Sequence, residues 1–368
     1  MTKKICHITS VHPRYDGRIF RKMCVSLANN GYDVTLLVID NKPDEVKDGV
    51  HIIPIDKQFK NSFDRIFNSW KFLYKKALEI NADIYHLHDP ELIQLGTKLK
   101  QKGKKVIFDS HEDYVLSILQ KNWLPQFSRT LVQKMYAKYE KKKLAKFDGI
   151  IGVTPQLMTH LKTINDNIVM ITNYPLLENV KKKDSSGFTL CFAGGITPNW
   201  SHESIIKAVN KFEGAVRYNL MGNIDDRYKE KLQMLEGFKY VNLIGTVSYH
   251  DVLEYYGASS LGIALHKYMP MVYDHEGSLG NTKIFEMMMS ELPVICTDFT
   301  LWTEIIEKNQ TGKCINPHSV QEIYDAIAFF INNKDVANQY GKNGRKIVEQ
   351  EYNWSTQEKK LLDYYAKL

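Results

Sequence analysis

The chain sets short, unbroken apolar runs between longer spans with helical spacing, and it does so in two successive series. Lys4–Thr9, Val34–Ile39, Asp83–His88, Lys105–Asp109 and Gly149–Val153 form the first series, with helical stretches at Arg18–Asn30, 61–79, Glu91–Lys102 and Gln126–Lys146 between them. A strand that does not alternate apolar with polar residues is buried on both faces, which is the pattern of a parallel sheet covered by helices. After a polar, turn-rich stretch, Lys181–Gly187, the series restarts. Phe188–Ala193, Arg217–Met221, Val241–Ile244, Ser260–Leu265, Pro293–Cys296 and Lys313–Ile315 read as strands, and Ser201–Phe212 as a helix. The expected fold is α/β, with two Rossmann-like doubly wound parallel-sheet domains facing across a cleft. The expected division is 1–180 and 187–352, followed by a terminal helix at 353–368, with Lys181–Gly187 as the linker.

The 368 residues suffice for two cores at about 150 residues each. No apolar run approaches the ~18–20 residues of a membrane span, and the opening Met-Thr-Lys-Lys lacks a secretory core, so a soluble cytoplasmic protein is expected. The five cysteines are scattered and odd in number, with no close pair in the sequence; they read as small buried hydrophobes in a reducing compartment. The net charge of +7 hides an asymmetry, +11 over residues 1–184 and −4 over 185–368. A basic half can face nucleic acid, anionic lipid or a phosphorylated substrate. Zinc-finger spacing, RNA-recognition signatures and a basic zipper are all missing, so no nucleic-acid partner is expected.

In open parallel sheets ligands bind beyond the carboxyl ends of strands. After the first strand, His12-Pro-Arg-Tyr-Asp-Gly17-Arg18 places a glycine just before a helix, where an anion can approach the backbone. It has neither the three-glycine dinucleotide fingerprint nor a Walker loop. His86-Leu-His88-Asp-Pro-Glu91 and Asp109-Ser-His111-Glu112 end two further strands. His86 and His88 share a strand face, but with His111 they form no familiar metal spacing, and no metal is expected. His111 is read as lining the cleft and donating a hydrogen bond to a polar substrate.

The second half offers three strand-end glycine turns, at Gly194-Gly195, Gly222 and Gly245-Thr246-Val247, whose N–H groups can receive phosphate. The richest stretch is Glu276-Gly-Ser278-Leu-Gly-Asn281-Thr282-Lys283-Ile-Phe-Glu286, followed by Leu292-Pro-Val-Ile. A polar loop enters a short helix; Lys283 can meet a diphosphate, and Glu286, three residues on, can accept hydrogen bonds from vicinal hydroxyls.

This loop, helix and strand resemble the donor signature of retaining glycosyltransferases of the two-Rossmann-domain type, family 4. Asp16-Gly-Arg-Ile-Phe-Arg, Gly31-Tyr-Asp-Val-Thr-Leu-Leu, His88-Asp-Pro-Glu-Leu, Phe108-Asp-Ser-His-Glu, Asp148-Gly-Ile-Ile-Gly-Val-Thr and Glu351-Tyr-Asn-Trp-Ser are similar to the same family, so the resemblance covers nearly the whole chain. It implies a metal-independent hexosyltransferase with a nucleotide-sugar donor, UDP most expected, as substrate rather than any cofactor. Glu286 would hold the ribose, Lys283 with Asn281 and Thr282 the diphosphate and sugar, and His111 the transferred sugar near its anomeric centre. Gly17 would let the first loop approach the diphosphate, and Gly245, Thr246 and Val247 would lie near the base. Transfer would occur at the front face, with the donor phosphate helping to deprotonate the acceptor. The terminal helix would return to the first domain. The chain departs from the family in two places. Ser278 stands eight residues before Glu286, where a glutamate is common, and Ile196-Thr197 and Trp200-Ser201-His202 replace the usual Arg and Lys. Arg18, Lys283 and Lys267 are the substitute cations. A weakly catalytic binding subunit and a nucleotide-sugar epimerase are the alternatives on this fold.

The first half would take the acceptor, a glycan or a polyprenyl-pyrophosphate-linked one, in surface polysaccharide or glycoconjugate synthesis. Phe63, Ile66, Phe67, Trp70, Leu73 and Tyr74 recur at helical spacing beside Arg65, Lys71, Lys75 and Lys76, and Lys134, Lys138, Lys141–Lys143 and Lys146 form a second basic stretch. Such a helix either rests on an anionic membrane or packs its apolar stripe on the sheet.

Overall fold

The computed structural model describes residues 2–120, 124–183 and 187–368, so the middle of the expected linker lies outside the described residues. The chain divides into two compact units, Met1–Asn173 with Trp354–Leu368, and Tyr174–Asn353.

The first unit contains strands β1 (Lys4–Ile8), β2 (Asp33–Val38), β3 (Glu45–Lys47), β4 (Val50–Pro54), β5 (Ile84–Leu87), β6 (Lys105–Ser110), β7 (Gly149–Gly152) and β8 (Ile168–Met170). They form one sheet in the order β3-β4-β2-β1-β5-β6-β7-β8. Every neighbouring pair is parallel except β3 with β4. Those two strands join through Asp48 and Gly49, both at positive φ, as a two-residue hairpin turn requires. Without β3 the order is that of a Rossmann sheet, and it reverses between β1 and β5.

The second unit contains β9 (Phe188–Ala193), β10 (Val216–Met221), β11 (Val241–Gly245), β12 (Leu261–Ala264), β13 (Val294–Thr297) and β14 (Gly312–Ile315). Its order is β11-β10-β9-β12-β13-β14, all parallel, reversing between β9 and β12. Cys296 and Cys314 face each other across β13 and β14 with sulfurs 3.5 Å apart, so the cysteines that stand far apart in sequence do include one close pair.

The division falls at Asn173–Tyr174, upstream of Lys181–Gly187, because the chain already packs into the second unit there. Tyr174 sets its ring edge on Phe285 and Tyr352, and Lys183 N–H donates to the Gly257 carbonyl at 3.0 Å. The terminal helix, Trp354–Lys367, belongs to the first unit: Trp354 Nε1 donates to Ser26 Oγ at 2.9 Å and Tyr364 OH to the Asn167 carbonyl at 3.0 Å. The helix Ser62–Ile80 buries Ser69, Leu73 and Ala77, while Phe63, Phe67 and Phe72 remain exposed, so only part of its apolar stripe packs inward. Among the described residues no helix is long and apolar enough to cross a membrane.

Candidate functional site

In the second unit the ends of β9, β10 and β11 carry a row of glycine turns at Gly194, Gly222 and Gly245, all with positive φ. The turns are laced together: Gly194 N–H donates to the Met221 carbonyl and Gly222 N–H to the Gly245 carbonyl, so these two N–H groups, expected to receive phosphate, are already engaged by backbone oxygens. A Cβ on Gly222 would lie 1.9 Å from the Gly194 carbonyl oxygen, so the close approach admits only glycine. Gly194 in turn leaves room for Lys283, whose Cε would sit 2.9 Å from a Cβ there. Gly195, next in the chain, has only Thr197 near its own Cβ position.

Lys283 opens the helix Lys283–Met289, with its Nζ 3.7 Å from the centre of the Trp200 ring and 4.8 Å from that of Phe192. The two ring faces attract the cation while shielding it from water. Burial pushes the Lys283 pKa down to about 7, against the opposing pull of Glu286 one turn on. The loop before this helix is fixed by its own backbone. Ser278 Oγ accepts from Gly280 N–H at 3.1 Å, the Ser278 carbonyl accepts from Trp302 Nε1 at 3.1 Å, and Thr282 N–H donates to the Gly280 carbonyl at 3.0 Å. Ser278 is therefore a buried loop brace. Asn281 and Thr282 are half-buried beside Lys283 in sequence, whereas Gly245-Thr246-Val247 ends β11. Lys267 pairs loosely with Glu203, 3.9 Å away. The sequence reading does not assign Trp200 and Phe192 as partners of Lys283; aromatic residues flanking a Gly-Gly turn on both sides are the available signal.

In the first unit the β1 and β5 ends meet at Asp89, whose Oδ2 accepts from Thr9 Oγ1 at 2.8 Å and from Ser10 N–H at 2.6 Å. Asp16 Oδ1 accepts the N–H groups of Arg18 and Ile19, both at 2.8 Å, and opens the following π-helical turn. Burial would lower the His12 pKa, but Asp16 and Asp89 hold it above its ordinary value. Gly17 sits in this loop with nothing within 4 Å of a Cβ placed on it.

Arg18, expected as a phosphate cation, is committed elsewhere. It is buried, with Nε and Nη2 donating to Asp109 at 2.9 and 2.7 Å and Nη1 to the Ile171 carbonyl at 2.9 Å. A guanidinium bound bidentately to a buried carboxylate is already neutralised within its own unit. His111 is 15% exposed and sets Nε2 3.1 Å from Asp109 Oδ2 and 3.2 Å from His88 Nδ1. It lines a cavity of about 810 Å³ inside this unit, together with His12, Glu112, Phe67, Trp70 and Tyr136.

Two α/β units of Rossmann strand order, each with polar groups gathered at the point where the order reverses, define the GT-B class of fold. Residues 17–173 match the family described as Glycosyltransferase Family 4, and residues 175–347 that described as Glycosyl transferases group 1. The chain belongs to the GT-B glycosyltransferases and is family 4-like. It is 22% identical over 336 residues to a poly(ribitol-phosphate) alpha-N-acetylglucosaminyltransferase of Staphylococcus aureus, a match covering 86% of this chain and 61% of that protein. The chain thus spans about three fifths of that relative's length. Its fold is similar to that of sucrose-phosphate synthase from Thermosynechococcus elongatus (TM-score 0.79, 16% identity, 99% of this chain and 98% of the other). Anabaena HepE, described in complex with UDP and glucose, is also similar (TM-score 0.72, 13% identity, 100% of both chains).

Proposed function

We propose that this chain transfers a hexose from a nucleotide-sugar donor, a UDP-sugar, to a glycan or lipid-linked acceptor in surface polysaccharide or glycoconjugate synthesis, with retention of configuration. The observation that carries the reading is Lys283 held between Trp200 and the Gly194 turn, with Glu286 one turn on. Breaking a sugar–diphosphate bond leaves negative charge on the departing phosphate, which a partly desolvated cation and preorganised N–H groups stabilise. Glu286 takes the ribose hydroxyls and the 245–247 turn the base. His111 meets the sugar, and the donor phosphate helps deprotonate the acceptor hydroxyl. The match to an N-acetylglucosaminyltransferase and the likeness to a protein described with UDP support this choice of chemistry.

For the acceptor, the aromatic walls and carboxylates of the first unit's cavity suit a sugar, since rings stack on pyranose faces and carboxylates accept hydrogen bonds from hydroxyls. The exposed Phe63, Phe67, Phe127 and Leu131, with the lysines of the same two helices, favour peripheral contact with an anionic membrane on the cytoplasmic side. Sedimentation with anionic but not neutral vesicles is the expected result.

A thermal-shift panel of UDP-, GDP- and ADP-sugars tests the donor, because a ligand that binds only the native state raises its melting temperature. UDP-sugars are expected to give the largest shift, reduced by Glu286→Ala; no shift with any nucleotide sugar overturns the reading. The leaving-group charge is assigned to Lys283 and backbone amides, and no cofactor is assigned. Transfer after exhaustive EDTA treatment is therefore expected to match that in added magnesium. Gly17→Ala gives a cleaner separation. The added methyl touches nothing in its own unit, so unfolding stability is expected to stay within about 0.5 kcal/mol. A diphosphate that needs that backbone would nevertheless bind about tenfold more weakly, as titration of UDP-glucose would read.

A further inference from the structure

His7, His86 and His88 are all fully buried, the first two on the paired strands β1 and β5 and His88 just past the end of β5, with ring nitrogens within 4.8 Å of one another. Their rings are stacked or tilted: His86 on His88 at 4.5 Å and 20°, His7 on His88 at 5.1 Å and 19°. His7 and His88, near-parallel with two ring nitrogens 2.9 Å apart, meet edge to edge and aim at each other rather than at one shared point, which suits hydrogen bonding in series better than a metal ion.

A series is what the contacts form. His86 Nδ1 lies 2.7 Å from Tyr365 OH, Tyr365 OH 3.4 Å from His7 Nε2, His7 Nδ1 2.9 Å from His88 Nε2, and His88 Nδ1 3.3 Å from Asp109 Oδ2. A neutral imidazole carries one proton, so fixing one ring fixes the next. Burial lowers the pKa of all three rings, to about 4 for His88, and keeps them neutral. Asp109 sets the direction. Burial would raise its pKa, but Arg18, His111 and His88 hold it well below the carboxylate range, so Oδ2 is an acceptor only. A bare His88 Nδ1 at that distance would repel it, so Nδ1 carries the proton. His88 Nε2 then accepts from His7 Nδ1–H, His7 Nε2 from Tyr365 O–H, and the Tyr365 oxygen from His86 Nδ1–H. The series ends at His86 Nε2, a buried atom with no partner among the described residues. In this direction it is a bare lone pair; the opposite direction would strand a buried N–H there, the rarer defect. His111 Nε2 shares the same carboxylate oxygen, so it too is protonated and Nδ1 is left bare.

We propose that Tyr365 of the terminal helix is a positioning residue for His111. By pinning the His7 proton to Nδ1 it reinforces the direction that Asp109 sets, and so helps hold His111 as the Nε2–H form that presents an acceptor, not a donor, to a sugar hydroxyl. That last step rests on the proposed contact of His111 with the donor sugar; the proton positions do not. Without the Tyr365 hydroxyl, His7 is free to turn its proton to Nε2. The bare His7 Nδ1 and His88 Nε2 then oppose each other across 2.9 Å, which pushes His88 toward its reversed form against the preference of Asp109, and a bare His88 Nδ1 draws the His111 N–H away from Asp109 across 3.2 Å.

Long-range ¹H–¹⁵N correlation on the full chain labelled at histidine, with no donor or acceptor present, tests this; signals are assigned by single His→Gln variants. The expected pattern is Nδ1–H for His7, His86 and His88 and Nε2–H for His111. Tyr365→Phe is expected to move the ring ¹⁵N signals of His88 and His111. Tyr364→Phe is expected to leave them in place, because Tyr364, on the same helix, donates its hydroxyl to the Asn167 carbonyl, outside the series. Protonation of His88 at Nε2 or of His111 at Nδ1 overturns the proposal, as does a Tyr364→Phe effect equal to that of Tyr365→Phe. If Tyr365→Phe does not fold, the parent still decides: a slowly exchanging Tyr365 hydroxyl proton correlated with His7 Nε2 supports the proposal, and one correlated with His86 Nδ1 overturns it. A chain with this pattern but no donor binding would defeat the functional reading and leave the proton series standing.

Discussion

Replacing Lys283 with methionine is expected to lower sugar transfer by about two to three orders of magnitude while leaving the fold intact. Methionine keeps an unbranched stem between Trp200 and Phe192 but brings no charge to a departing diphosphate, and loss of one preorganised electrostatic group typically costs about 10²–10³ in rate. The same lysine predicts a pH dependence. Its pKa is about 7 in the unliganded protein, and a bound diphosphate raises it. Above pH 7 binding therefore takes up a proton, and the affinity for UDP-glucose should fall by up to about tenfold per pH unit until the bound lysine itself begins to titrate. Calorimetry in two buffers of different ionisation enthalpy at pH 8 reads that proton directly. In Lys283→Met both the uptake and the slope should vanish; their survival would mean that another group receives the phosphate.

Arg18→Met should be the most destabilising single change at this site. It leaves Asp109 fully buried with only histidine donors, and breaking one side of a buried pair costs about 3–5 kcal/mol. Asp109 is held well below its ordinary pKa, so the stability it contributes is present above the unfolded carboxylate value and is lost as pH falls through the folded one. Removal of Arg18 moves that folded value upward. The deficit relative to the parent protein is therefore expected to be largest near pH 7 and to shrink toward pH 5, where Asp109 takes a proton instead. Urea unfolding at the two pH values measures it. An equal deficit at both would mean that lost packing, not the stranded carboxylate, dominates.

The fold was legible because a strand covered on both faces leaves an unbroken apolar word in the sequence. Phe188–Ala193 has the same limits in the structure as in the periodicity, and the strand at Val34–Ile39 shifts by one residue at each end. β4 leaves no unbroken apolar run because exposed His51 interrupts it, although Asp48-Gly49 is a usable hairpin signal. The spacing over Arg18–Asn30 predicts one helix, whereas Ile19–Cys24 is a π-helical turn running into Val25–Asn29; apolar spacing does not resolve that difference.

At the candidate site the residue types were visible and their partners were not. Nothing near Arg18 says that its charge is taken by Asp109, 91 positions away, and nothing near His7 points to Tyr365, 358 positions away. Cys296 and Cys314 are likewise joined only by strand register. The expectation that His111 donates a hydrogen bond came from the residue alone, while its proton position depends on which carboxylate lies behind it.

The first unit is assembled from two stretches of chain, 1–173 and 354–368, with the whole of the second unit synthesised between them. On the ribosome the earlier stretch must wait, its sheet complete but the face around His7 and His86 uncovered, until Tyr365 emerges. The second unit, continuous in the chain, can fold during that delay, so the first unit is begun first and completed last.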